Sequence, residues 1–157
     1  PPRSTLFPYT TLFRSERYID LLEKNYVLFR LPPYYSNQRK TLSKQNKIYF
    51  YDLGIRNALI NNFNSFDKRN DVGALWENFL IVERMKLRKY KRRYANQYFW
   101  KTYDGSEIDL VEQVAEKLFG YEIKWGRERT SPKSWLEYPN SSYEIVNKDN
   151  YKEFLEV

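Results

Sequence analysis

The chain has 157 residues, a net charge of +7 and 18% aromatic side chains, enough for one domain or one and a half with a substantial core. It contains neither histidine nor cysteine, which excludes imidazole-based triads and nucleases, disulfides and thiolate metal sites. Chemistry is left to carboxylates, lysine, arginine, tyrosine and hydroxyls, a set that suits a Mg²⁺ site of oxygen ligands, while the basic balance favours an anionic partner such as DNA.

In chain order, Thr5 to Ser15 reads TLFPYTTLFRS, which matches the conceptual translation of a widely used sequencing-adapter oligonucleotide. Residues 1–15 are therefore expected to be a remnant, neither signal peptide nor helix, with the natural protein beginning upstream of Glu16. From Glu16, the residues Tyr18, Ile19, Leu21 and Leu22 among charges predict a short amphipathic helix ending near Asn25. Tyr26 to Leu31 is a β-rich run stopped by Pro32-Pro33. A basic loop with Arg39, Lys40 and Lys44 leads to its hairpin partner, Lys47 to Tyr51. Asp52 is placed to cap a helix from Leu53 to Asn61. Helix, strand, basic loop and strand form the tail of a winged-helix unit over residues 16–61, which either lays its loop on DNA or serves as a packing module.

Residues 61–70 are polar and turn-rich and mark a boundary. Val72 to Lys91 predicts the longest helix, with Leu75, Phe79, Val82 and Met85 on its core side and Glu77 off that stripe. Its end carries Lys86, Arg88, Lys89, Lys91, Arg92 and Arg93. Basic side chains there offset the helix dipole, yet six within eight positions also fit phosphate contact, and both readings stand. Asp104-Gly105 is a hairpin signal between the runs Gln97 to Thr102 and Glu107 to Glu112. On the next strand, alternation puts Glu122 and Lys124 on one face and Tyr121, Ile123 and Trp125 on the other. Asp109 followed by Glu122 and Lys124 on neighbouring strands is the order of a metal-dependent nuclease site, although Glu-x-Lys is also an ordinary solvated pair. Arg127 and Arg129 follow. A short helical piece near Lys133 to Tyr138, a strand from Tyr143 to Val146 and a helix from about Asp149 to Leu155 complete the chain.

Phe99-Trp100-Lys101, Asp104-Gly105, Glu107 to Leu110 and Gly120 to Trp125, with Gly73 to Phe79 upstream and KIYFYDLGIRN (Lys47 to Asn57) before that, together resemble one family. It is the C-terminal domain of unknown function in bacterial and archaeal AAA-type ATPases, a domain similar to the PD-(D/E)XK, restriction-endonuclease-like fold. The resemblance covers Glu16 to Val157. It implies an α/β (α+β) fold whose core, over residues 72–157, runs helix, three-strand meander, helix and strand, preceded by the partial winged-helix-like unit.

It also implies that Glu77, Asp109, Glu122 and Lys124 fall on the helix carboxylate and PD-(D/E)XK positions. Asp109, Glu122 and Glu77 would then ligate Mg²⁺ or Mn²⁺, and Lys124 would orient water or stabilise developing charge in phosphodiester hydrolysis. Ile108 stands where the pattern carries proline. The expected DNA contacts are Lys86, Arg88, Lys89, Lys91, Arg92, Arg93, Arg127 and Arg129. The alternative is a catalytically inactive module that docks DNA or a protein partner. With glycine only at positions 54, 73, 105, 120 and 126 there is no GxxxxGK[ST] loop, so no ATPase activity is expected and ATP enters only through an AAA-type ATPase module normally in the same chain. No apolar run is long enough to span a membrane, and a soluble cytoplasmic chain is expected.

Overall fold

The computed structural model describes residues 8–35, 46–103, 105–126 and 132–156, with side chains from residue 15 onward. The first helix, α1, spans Pro8–Lys24 and so begins well before Glu16. Proline is tolerated in a first helical turn, whose N–H groups lack intrahelical acceptors, and no glycine or further proline interrupts residues 9–15 once the helix is nucleated downstream. The expectation of a non-helical segment is corrected for those residues. Glu16, Asp20 and Glu23 share one face of α1 and converge on Arg30, with Asp20 at 2.7 Å and Glu16 at 3.2 Å. That contact fastens the helix to a two-stranded antiparallel hairpin of β1 (Leu28–Leu31) and β2 (Lys47–Phe50), in which Leu31 faces Lys47. The basic loop with Arg39, Lys40 and Lys44 lies outside the described residues. Asp52 caps α2 (Leu53–Leu59) by accepting the Ile55 N–H at 3.0 Å.

From Val72 the order is α3 (Val72–Tyr90), β3 (Asn96–Lys101), β4 (Glu107–Val114), β5 (Lys117–Ile123), α4 (Lys133–Leu136), β6 (Ser141–Val146) and α5 (Tyr151–Leu155). This is the expected helix, meander, helix, strand, with α4 reduced to four residues. Strands β3, β4 and β5 form an antiparallel meander, and β6 pairs with β5 in parallel. β5 ends at Ile123 and β6 begins at Ser141, a separation in the sequence long enough for the crossover that a parallel pair requires. Asp104 lies outside the described residues, but Gly105 next to it has φ +88°, a left-handed conformation that glycine adopts without a Cβ clash.

The buried side chains of α3 are Leu75, Asn78, Leu80, Ile81, Val82 and Arg84, rather than the stripe of Leu75, Phe79, Val82 and Met85. The helix is covered from two sides, by the sheet and by β2, so its apolar arc is wider than a single stripe. On the β2 side a polar residue is required: the Asn78 amide accepts the Phe50 N–H at 2.9 Å and donates to the Phe50 carbonyl at 2.8 Å. One core cluster joins Leu31 and Tyr49 of the hairpin to Leu80, Ile81, Phe99, Leu110, Tyr121, Ile123, Val146 and Phe154. Each large apolar side chain so buried contributes about 1.5–3 kcal/mol. The opposite sheet face packs Trp100, Ile108, Val111, Leu118 and Trp135. The hairpin is also bonded to the sheet edge, through Phe99 N–H to the Pro32 carbonyl at 3.0 Å and Tyr34 N–H to the Phe99 carbonyl at 2.7 Å. The two units separated in the sequence therefore share one core.

Candidate active site at the split of the sheet

The position of Asp109 follows from an irregularity in β4. Tyr98 pairs with Val111, but Trp100 pairs with Ile108, so β4 carries an extra residue between them. Strict alternation would put Ile108 and Leu110 on one face. Instead Ile108 and Val111 join the cluster around Trp135, while Leu110 joins the cluster under α3. A bulge of this kind re-aims side chains, and here it turns Asp109 as well as Leu110 toward α3 and β2.

The β4–β5 ladder reaches Leu110 opposite Tyr121, and beyond it β5 continues beside β6, with Glu122 opposite Ile145 and Ile123 opposite Val146. Asp109 stands where the two strands part. Its Oδ2 accepts the Ile123 N–H at 2.9 Å, replacing the strand partner that this amide would otherwise need. Asp109 is the hub of the centre. Its Oδ1 lies 3.1 Å from Lys47 Nζ, and its Oδ2 lies 3.7 Å from Lys124 Nζ. Lys124 in turn bonds Glu122 Oε1 at 2.6 Å. Lys47 also meets Glu77 Oε1 at 3.2 Å and Glu107 Oε1 at 2.6 Å. The structure thus brings Asp109, Glu122 and Lys124 together and joins Glu77 to them through Lys47. Glu122 is buried rather than on a wet face. Trp125, on the face of Tyr121 and Ile123, packs on Trp76 at 5.3 Å and Phe66 at 5.9 Å.

Burial and neighbouring charges shift the titration of these groups. Burial would lower the Lys47 pKa, but the carboxylates of Glu77, Asp109 and Glu107 outweigh it and raise it, so Lys47 is an ammonium. Burial and the Asp109 charge raise Glu77 above the usual carboxylate range, against the pull of Lys47 and Tyr49. Burial first, then Glu77, raises the Tyr49 phenol, which donates to Glu77 Oε1 at 2.6 Å. Burial would also raise Glu107, but its bonds to Lys47 and Lys101 prevail and lower it.

Sequence reasoning missed Lys47, Tyr49 and Glu107. The signal for the first two was alternation on β2: buried Tyr49 and Lys47 stand two residues apart, and Ile48 between them is exposed.

The donor set fits a hard divalent cation in kind, since it is entirely carboxylate oxygen. Among the described residues no three acidic side chains are grouped so as to hold a metal ion. The oxygens of Glu77, Glu107 and Asp109 meet at Lys47, and those of Asp109 and Glu122 approach Lys124.

The basic residues at the end of α3 divide into two sets. Lys89, Lys91, Arg92 and Arg93 are exposed. Lys86 pairs with Glu83 at 2.8 Å. Arg88, expected on the phosphate-contacting surface, is turned inward instead: its Nε and Nη2 each lie 2.6 Å from Glu112, and its Nη1 donates to the Arg93 carbonyl. Glu112 is fully buried and also receives Arg84 and Gln97, which explains the inward turn. Arg127 and Arg129 lie outside the described residues.

Fold and site together define a mixed α/β domain whose chemistry-bearing side chains gather where two sheet strands diverge. Residues 72–150 match a domain of unknown function, DUF4143, and the chain belongs to that family. Residues 13–65 match a second domain of unknown function, DUF8612. The chain is similar to uncharacterized proteins of Mycobacterium bovis and Mycobacterium tuberculosis, each 30% identical over 112 residues. The match covers 70% of this chain and 24% of each relative, so the chain spans about a quarter of their length. No solved structure matches. No helix among the described residues is long and apolar enough to cross a membrane.

Proposed function

We propose that the chain carries a PD-(D/E)XK, restriction-endonuclease-like domain that hydrolyses phosphodiester bonds in DNA with Mg²⁺ or Mn²⁺, in the service of an AAA-type ATPase module. The observation that carries this reading is the grouping of Asp109, Glu122 and Lys124 at the split between β4 and β5. The order α3, β3, β4, β5, α4, β6 with β6 parallel to β5 supports it.

Asp109 and Glu122, with Glu77, would hold the ion. When bound, it would lower the pKa of the attacking water and offset charge on the phosphate. The Ile123 amide holds the Asp109 carboxylate in place through Oδ2, and Tyr49 holds Glu77. Lys124, 27% exposed in its side chain, is the cation that faces developing charge on the phosphorus oxygens as water adds and the bridging P–O bond breaks. The exposed residues at the end of α3 lie about 20 Å along the helix from Glu77, at 1.5 Å per residue, and would grip phosphates several steps from the scissile one.

A second reading is a module that docks DNA or a protein partner without cleaving it. The observation that favours it is the Lys47 ammonium seated among the carboxylates.

Nicking of supercoiled plasmid with Mn²⁺ tests the two. Cleavage that is lost in Asp109→Asn, Glu122→Gln and Lys124→Ala, with the Mn²⁺-induced melting shift lost in the first two and kept in the third, is the expected result. DNA binding that is indifferent to Mn²⁺ and to Asp109→Asn would replace hydrolysis by docking.

A further inference from the structure

We propose that Lys47 is the built-in counter-ion of this carboxylate centre, and that a divalent cation enters only by displacing its ammonium. The proposal deepens the metal-dependent reading of the site and rests on it. Three carboxylate oxygens, from Glu107, Asp109 and Glu77, surround Nζ at 2.6, 3.1 and 3.2 Å, and the Phe99 ring lies 5.7 Å from it. Glu122 lies on the far side of Asp109 at Lys124, while Lys47 stands between two of the proposed ligands, Asp109 and Glu77, with Glu107 as a third oxygen. An ammonium and a divalent ion cannot share that point, because like charges at such separations repel strongly in a partly buried setting.

The surroundings favour exchange over a fixed structural pair. Tyr49 bonds Glu77 independently of Lys47, and the Ile123 amide bonds Asp109 independently of it, so both carboxylates keep their places when the lysine leaves. The β2 backbone is held by its pairing with β1 and by Asn78, so the motion is confined to the flexible lysine stem. A cleft of about 350 Å³, lined by Lys47, Tyr49, Glu77 and Asn78 among others, gives the displaced ammonium a place to go. Lys47 belongs to the hairpin, outside the residues that match the α3–β6 family pattern. Metal affinity is therefore set from outside the domain that supplies the ligands. Only the fraction of molecules with Lys47 swung out is competent to bind the ion, and the observed dissociation constant is weakened by that fraction.

Two measurements on the full chain test this. Lys47→Met should tighten Mn²⁺ binding, followed by calorimetry or melting shift, by about tenfold or more. Independently of any variant, acetic anhydride labelling of the parent should modify Lys47 several-fold faster at saturating Mn²⁺ than in EDTA, read by mass spectrometry. If Mn²⁺ binds and Asp109→Asn abolishes it, yet Lys47 labelling does not change, the counter-ion proposal fails while the metal site stands. If neither the parent nor Lys47→Met binds Mn²⁺, both fail. Should Lys47→Met not fold, the labelling experiment decides alone.

Discussion

Replacing Glu112 by glutamine keeps the side chain's shape and removes its charge from beneath two arginines. Arg84 reaches the carboxylate at 2.7 Å through Nη2, Arg88 reaches it at 2.6 Å through both Nε and Nη2, and Gln97 adds a bond at 3.0 Å. The Arg84 guanidinium also donates to the Phe154 carbonyl and lies 4.8 Å from the Tyr121 ring centroid, so it cannot turn to water without opening the contact with α5. Removing one partner of a buried pair costs about 3–5 kcal/mol, and because glutamine retains one acceptor and Arg88 can reach solvent, the lower end, about 3 kcal/mol, is expected. At about 2–4 °C per kcal/mol for a chain of this size, the melting temperature should fall by about 6–12 °C.

A pH series sharpens the test. Burial would raise the Glu112 carboxyl, but the hydrogen bonds and charges of Arg84 and Arg88 outweigh it and hold it below the usual range. The unfolded chain then binds more protons than the folded one. The contribution is complete above the unfolded carboxyl's pKa of about 4.3 and is lost as pH falls through the lowered folded value. Glu112→Gln should therefore flatten stability against pH in that acid window. A melting shift under about 2 °C, or an unchanged acid limb, would refute a net stabilising role for the network.

Replacing Lys89, Arg92 and Arg93 together by alanine should reduce the salt dependence of DNA binding by about three units of slope, at about 0.9 for each phosphate no longer neutralised. Equal slopes would assign these residues to compensation of the α3 dipole instead. Gly120→Ala would place a Cβ 2.9 Å from the Trp135 ring, and urea denaturation should show a loss of about 1–3 kcal/mol from overpacking. Unchanged stability would mean that Trp135 yields to the added methyl.

The elements after Val72 were readable because hairpin signals and β-rich runs are local, and the face shared by Glu122 and Lys124 was readable because it depends only on the pleat. The α3 stripe was misjudged because a helix covered on two sides buries residues, Leu80 and Ile81 among them, that a one-sided stripe leaves out. The aim of Asp109 depends on a register shift between β3 and β4, which no single strand's sequence displays. Alternation on β2 marks Lys47 and Tyr49 as sharing a face, but not what that face meets: Lys47 is 62 residues from Asp109, and only the assembled fold brings them within 3.1 Å. Carboxylates counted alone suggest a centre that repels itself without a metal. The two lysines remove that instability.

The two family patterns, over residues 13–65 and 72–150, meet in the short segment around the 3₁₀ turn Phe66–Lys68. Units of inheritance need not be units of folding, and here they are not. A chain cut in that segment would uncover the hydrophobic surface on Leu80 and Phe99 that Leu31 and Tyr49 now cover. It would also release the Phe99 backbone N–H and C=O now held by Pro32 and Tyr34, leaving an edge strand open to pairing with other chains. The hairpin therefore acts as an edge guard for the larger sheet, protecting it against self-association.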